Sequence, residues 1–424
     1  MPSPASLRPG DRVALLVPGS RDYLDLVIAL LAGGVFPIPL DPRLTATERA
    51  GVLDDLAPTL AITDPADVPR LLAQLPAPAR HGVPLGRPIH VTSGTTGHPK
   101  GVFSGLLKPD QAAALVTEER ALWGFTADDV NLVLSPLYHS APLRFATGTL
   151  LAGGRVVGFA EDGLQAPFDP VTATRLIETE RPTTMFCVPA HLQRLFAHWD
   201  RVGVPDLSSF RLVAHAGAPC PPAIKRRLIE LFPPETTWEF YGSTEGQFTA
   251  CRSEEWQQRP GSVGRARPGR RLLVEDDGTI WCVVPDAARF SYFGAPEKTA
   301  QAWRDTPQGP AFTVGDLGHL DDDGYLYLSG RREDLIITGG VNVYPVEVEN
   351  VLSAVPGVLD IAVHSVPSDE WGQQVIATVV GDVDEDALRS YAREHLAPPK
   401  RPKEYRFVEA LPRTLTGKVL RRQL

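Results

Sequence analysis

The sequence predicts an α/β fold: a large N-terminal domain of parallel sheets flanked by helices plus a β-rich subdomain, followed by a small α+β C-terminal domain. Three observations predict it. From Arg12 to Phe240 short apolar runs alternate with helix-like segments, the pattern of a parallel sheet covered on both faces. From about Val263 to Gly330 the runs become short and are punctuated by "EDDG" and "DDDG" turns, as in a β-rich unit. Beyond "GRREDLIITGG" a fresh α+β unit of about 90 residues begins, a reasonable small domain.

Each element has its local reason. "RVALLV" reads as the first strand. Ser20 is placed to cap a helix in which Leu24, Val27, Ile28 and Leu31 share one face, and Gly33 and Gly34 end it. The Pro/Ala-rich stretch from Leu75 to Pro88 reads as a surface loop. "TTMFCV" precedes a helix near Ala190, "RLVAHAG" precedes "PPAIKRRLIELF", and "TTWEF" runs into "YGSTEG". Chemistry-bearing loops thus fall at the carboxyl ends of strands, where open α/β sheets bind ligands.

Composition narrows the function. The 424 residues are 43% hydrophobic and 22% charged, an ordinary globular balance. A net charge of −9 supplies no broad basic field for nucleic acid, although a local basic pocket for a phosphorylated ligand stays open. The longest apolar run, Leu26 to Ile38, is shorter than a membrane span and holds two glycines and a proline, so no membrane span is expected. Nothing at the N-terminus reads as an export signal, and a cytoplasmic location is expected. Cys187, Cys220, Cys251 and Cys282 lie about 30 residues apart with no close pair, which disfavours a zinc site or a disulfide framework.

Six stretches carry the chemistry. "TSGTTGHPKG" (Thr92 to Gly101) gathers hydroxyls, glycines and one lysine after the apolar "PIHV". Such a loop can turn several N–H groups toward one anion, with phosphate as the natural guest. The glycine spacing is not that of the Walker loop, and a plain Gly/Thr turn between strands is the alternative. The others are "PLYHSAP" (Pro136 to Pro142), "AGAP" (Ala216 to Pro219), "FYGSTEG" (Phe240 to Gly246), the long run from Thr313 to Glu349, and "LPRTLTGKVLRRQL" at the C-terminus.

In order and spacing these stretches resemble the adenylate-forming superfamily of acyl- and aryl-CoA synthetases, peptide-synthetase adenylation domains and beetle luciferases, from about Pro9 to the last residue. The resemblance implies that Thr92, Ser93, Gly94, Thr95, Thr96 and Lys100 hold the β- and γ-phosphates of ATP. Gly217, Ala218 and Pro219 would form a backbone edge for the purine, with Tyr241 stacking on it and Gly242 beside it; a core tyrosine is the plain alternative. Thr244 and Glu245 would meet the α-phosphate and Mg²⁺, Glu245 as metal ligand. Asp316 would hold the ribose diol, with Arg331 reaching ribose or phosphate; surface charges are the alternative for both.

Lys418, one of only seven lysines against 35 arginines, stands at the family's catalytic position. Its ammonium would bridge the attacking carboxylate and the α-phosphoryl oxygens; a solvated lysine in a basic tail is the alternative. His139 would border the acyl pocket and gate the carboxylate's entry, or be a buried structural histidine. "PLYHSAP" lacks the aspartate with which amino-acid-activating relatives bind the α-ammonium, so an amino acid is a poor substrate.

Glu333 occupies the hinge position, dividing the chain into an adenylation domain (1–332) and a mobile C-terminal domain (333–424). Gly339 and Gly340 match the loop that reaches the CoA tunnel after rotation; a tight turn after the strand "DLIIT" is the alternative. Two departures stand out: the chain lacks the segment that precedes "PGDRVALL" in the family, and only 49 residues separate Pro42 from Thr92. Pocket walls and any dimer surface made there are left open, as is the oligomeric state. The expectation is a ligase that joins a carboxylic acid, of aryl or fatty type and not an amino acid, to coenzyme A through an acyl-adenylate with release of pyrophosphate. The alternatives are loading of a carrier protein, nitrite-dependent diazotisation of an arylamine, and a nucleotide-binding protein without catalysis.

Overall fold

The computed structural model describes residues 7–75, 82–92, 100–158, 164, 167–413 and 419–424, apart from the side chains of Glu333 and Arg422. The parallel architecture is present, as two sheets. A three-stranded parallel sheet has Arg12–Leu15 at its centre, flanked by Phe36–Pro39 and Leu60–Ile62. A seven-stranded sheet runs Arg265–Ala266, Thr249–Arg252, Thr237–Glu239, Leu212–His215, Thr184–Cys187, Val130–Val133 and Arg155–Val157. Its last five strands are parallel, while the first two join antiparallel at one edge. Thr184–Cys187 and Leu212–His215 are buried at every position, as strands covered on both faces must be.

Local signals acted where expected. The Ser20 hydroxyl accepts the Tyr23 N–H at 3.1 Å, starting the helix Arg21–Ala32, whose Leu24, Val27, Ile28 and Leu31 are buried. Thr45 and Glu48 form a reciprocal capping box on Ala46–Leu56. The β-rich region is a four-stranded antiparallel sheet (Arg271–Val274, Ile280–Val283, Gly309–Phe312, Trp303–Thr306) with a two-stranded arm, Asp316–Leu320 against Leu326–Arg331.

The apolar run before the phosphate-type loop takes a different role from a central parallel strand. His90–Thr92 pairs antiparallel with Lys100–Phe103, which in turn pairs with Ser291–Tyr292. The threonine–glycine loop therefore connects two antiparallel strands, where a Walker loop would lead from a strand into a helix. The C-terminal domain builds its own core from Ile336, Val343, Val348, Leu352, Val363, Val375, Val379 and Leu388, under strands Val358–Ser368 and Gly372–Gly381 and helices Pro345–Leu352 and Glu385–His395. Among the described residues no helix is long and apolar enough to cross a membrane.

Burial lowers the pKa of His90, His139, His191, His215 and His364, and three of them show the size of the effect. Burial pushes the pKa of His90 and of His191 down to about 4, and that of His215 further, with the nearby cations Arg144, Arg194 and Lys225 adding to the effect in turn. Their folded-state pKa values lie below the ordinary 6.5, so the unfolded chain binds protons first as pH falls. Stability should be level above about pH 7 and fall between pH 6.5 and 4, by up to about 1.4 kcal/mol per pH unit for each ring. Melting curves at pH 7.5, 6.5, 5.5 and 5.0, above the range where most carboxylates titrate, check this; a flat profile down to pH 5 would contradict it.

Candidate active site

The turn Ser243–Gly246 is built by short-range geometry. Gly242 bridges Gln247, and the Ser243 N–H donates to the Gly246 carbonyl at 2.8 Å. A Cβ on Gly242 would come within 2.8 Å of Gln247 Cα, so only glycine lets the two chains approach this closely. The turn carries Thr244 and Glu245 between the sheet edge and the β-rich region. Glu245 is buried and accepts a hydrogen bond from the Tyr292 hydroxyl at 2.8 Å. Burial, then the charge of Glu245, pushes the Tyr292 pKa well up, so this hydroxyl stays a donor.

Tyr241, Asp316 and Arg331 meet although far apart in the chain. Asp316 and Arg331 face each other across the two-stranded arm, with Arg331 Nε 3.1 Å from Asp316 Oδ1. The Tyr241 hydroxyl donates to Asp316 Oδ2 at 2.5 Å, and its ring packs on Phe248 at 4.8 Å between centroids. Burial, and then Asp316, hold the Tyr241 pKa far above its ordinary value. Gly217 has φ 93° at the end of Leu212–His215, and Ala218 and Pro219 border a small void with Pro189, Asp360 and Arg413. That void brings the C-terminal domain to the edge of the "AGAP" loop.

Other expected residues have mixed placements. The Thr92 hydroxyl donates to the Lys100 carbonyl at 3.3 Å, and Lys100 Nζ lies 3.7 Å from Asp55. Ser93, Gly94, Thr95, Thr96 and Lys418 lie outside the described residues, as does the side chain of Glu333. Gly339 and Gly340 make the two-residue turn of a hairpin joining Ile336–Thr338 to Val341–Val343, with φ 56° and 79°.

A cavity of about 260 Å³ opens at this turn, with Ser243, Thr244, Gly246 and Gln247 in its wall. Its wall also includes one face of the helix Ser140–Leu151: Ser140, Leu143, Arg144, Thr147, Gly148 and Leu151. His139 is not among the described residues lining it. It precedes that helix, its ring packs on Tyr138 at 4.5 Å, and its buried Nε2 has no hydrogen-bond partner among the described residues. Burial drops its pKa to about 4. His90 lines the cavity instead, its Nδ1–H donating to the Tyr138 carbonyl at 3.1 Å, which leaves Nε2 as an acceptor.

Sequence reasoning missed His90, Arg87, Glu119, Arg144 and Arg267, all in the cavity wall. The three-four spacing of Ser140, Leu143, Arg144, Thr147 and Leu151 was a readable signal for Arg144; the others stand in no recognisable pattern.

Comparison with known proteins identifies the family. The AMP-binding enzyme model matches residues 89–287, and the AMP-binding enzyme C-terminal domain model matches 347–418. Feruloyl-CoA synthase of Amycolatopsis sp is 34% identical, covering 98% of this chain and 89% of its own. Long-chain-fatty-acid–CoA ligase FadD13 of Mycobacterium tuberculosis is 32% identical, covering 97% and 87%. The crystal structure of ATP-bound MatB from Rhodopseudomonas palustris superposes with a TM-score of 0.81 at 30% identity, covering 99% of this chain and 90% of that one. With both halves matched in order and relatives aligned over nearly its whole length, the chain belongs to the adenylate-forming superfamily of AMP-binding enzymes.

Proposed function

We propose that this enzyme is an ATP-dependent, AMP-forming ligase that adenylates a carboxylic acid other than an amino acid and passes the acyl group to coenzyme A. One observation carries the reading. The cavity ends on the Ser243–Gln247 turn, and that turn continues directly from Tyr241, whose hydroxyl holds Asp316. An acid in the cavity and a nucleotide against Tyr241 and Asp316 would meet at Thr244.

In this reading Asp316 accepts the ribose hydroxyls, pre-set by Tyr241 and Arg331. Thr244 donates to the α-phosphoryl group, and Lys418 stabilises the charge that gathers as the carboxylate attacks phosphorus and pyrophosphate leaves. Glu245 fits a Mg²⁺ ligand: it is a buried carboxylate with one hydrogen bond from Tyr292, and this ion takes one or two carboxylates with substrate phosphates. When bound, the ion would neutralise phosphate charge. Residues 333–424 would then turn about Glu333, withdraw Lys418 and bring Gly339 and Gly340 to the pantetheine passage. The named activities of the feruloyl and fatty-acid relatives support CoA as acceptor.

Acid-dependent exchange of pyrophosphate into ATP, measured beside acyl-CoA formation on one preparation, tests the two halves. No exchange with any carboxylic acid would overturn the proposal. The substitution Gly340→Asn separates passage from turn. Nothing lies within 4 Å of a Cβ there, and asparagine tolerates positive φ. Exchange should stay near wild type while acyl-CoA formation falls by about 10²-fold, the cost of a misplaced reactant. Equal change in both activities, or in neither, would remove the glycines from the CoA route.

A further inference from the structure

The wall of the cavity is charged in a way that a purely apolar acyl group does not explain. Among the described residues lining it are four arginines, Arg87, Arg120, Arg144 and Arg267, and a single acidic residue, Glu119. Arg120 is exposed at the rim and donates to the Phe125 carbonyl. The inner arginines form a cluster with Arg270 that shares two carboxylates. Glu118 lies 2.8 Å from Arg267 and 3.1 Å from Arg270; Glu119 lies 3.3 Å from both Arg267 and Arg144 and also accepts the Trp123 N–H at 2.7 Å. Four guanidiniums against two carboxylates leave two positive charges over.

The surplus is plainest on Arg87, while Arg144 has only a share of Glu119, which Arg267 also claims. Arg87 donates to the Ala288 carbonyl at 3.2 Å, and among the described residues no carboxylate lies within ion-pairing distance of it. Arg144 lies over the Phe240 ring at 5.6 Å, and its Nε, although near Glu119, is out of hydrogen-bond alignment and has no other partner among the described residues. Burial, and then the neighbouring guanidiniums of Arg270 and Arg144, bring the Arg87 pKa down to about 10. Enclosed charge without a counter-charge is costly, and a fatty or unsubstituted aryl tail would seal these groups against hydrocarbon. A guanidinium fork matches a carboxylate edge to edge. Arg267 already donates to Gln247 of the turn at 3.0 Å, whereas the Arg87 backbone N–H and guanidinium are held by Ser104 and Ala288, so Arg87 is anchored apart from the Thr244 turn where the reacting carboxylate must sit.

Resting on the adenylation reading, we propose that the acid activated here carries a second anionic group, held by the Arg87 and Arg144 guanidiniums while its other carboxylate reacts at Thr244. The cavity's size, at the low end for small-molecule sites, suits a compact diacid.

The test is pyrophosphate exchange with matched pairs: the dicarboxylates from malonate to suberate and terephthalate, each against its monomethyl ester. For the best pair, the wild-type enzyme should prefer the diacid by about tenfold or more in kcat/KM. Arg144→Met and Arg87→Met should each erase that preference while ester turnover holds or rises, and Arg87→Lys should restore part of it. Melting curves report whether each variant folds; if none does, the wild-type preference alone decides. A wild-type preference for esters, or equal loss of both activities in folded variants, would overturn the second anion and leave adenylation standing. Absence of exchange with every acid would overturn adenylation, and the second anion with it.

Discussion

Replacing Lys418 by alanine should lower acid-dependent pyrophosphate exchange by about 10²-fold or more, the scale of losing one preorganised charge at a transition state. The effect should be confined to adenylation. If the C-terminal domain turns between half-reactions, Lys418 is withdrawn when the thiol attacks, and the variant supplied with a ready-made acyl-adenylate should form acyl-CoA at close to the wild-type rate. Loss of fold is a poor competing explanation, because both flanks of the segment are pinned without it. Arg413 pairs with Asp360 at 2.5 Å, the Leu420 N–H donates to the Pro412 carbonyl at 2.8 Å, and Arg421 reaches both Glu349 and the Val363 carbonyl. Lys418→Arg should recover little, since a planar fork cannot replace a point charge placed between two oxygens. Exchange at the wild-type rate in the alanine variant would remove Lys418 from the mechanism.

The second large effect is expected at Asp316. Asp316→Ala takes away a charged acceptor for two ribose hydroxyls, each such bond worth roughly 1.5–3 kcal/mol, so the apparent affinity for ATP should weaken by about 10²-fold or more while the dependence on the acid changes little. The alanine also strands the Tyr241 hydroxyl, which Asp316 accepts in a buried setting, and some loss of melting temperature is expected. Asp316→Asn separates the two roles: its amide oxygen can still accept from Tyr241, so stability should return while ATP affinity stays weak. An unchanged ATP dependence in both variants would refute the ribose assignment, and a loss that tracks melting temperature alone would make Asp316 structural.

Both predictions concern residues that stood out in the sequence, and the reason is physical. The features legible there are those set by neighbouring residues: the Ser20 cap, the burial of Thr184–Cys187 and Leu212–His215, and, as the alternative to a CoA passage, the turn at Gly339 and Gly340. Hydrogen-bond chemistry and allowed φ act within a few residues, so they leave a mark in order and spacing. What only the tertiary structure decided is which distant groups share a dry space. Tyr241 finds Asp316 75 residues on, Tyr292 reaches back to Glu245, and Arg267 closes on Glu118 149 residues earlier. The same long-range packing put His90 in the cavity wall and made the strand before the threonine–glycine loop antiparallel. Burial sets the energy of a charge through everything that surrounds it, and no local pattern of residues encodes that surrounding, so the surplus of guanidiniums at Arg87 and Arg144 became visible only once the chain was folded.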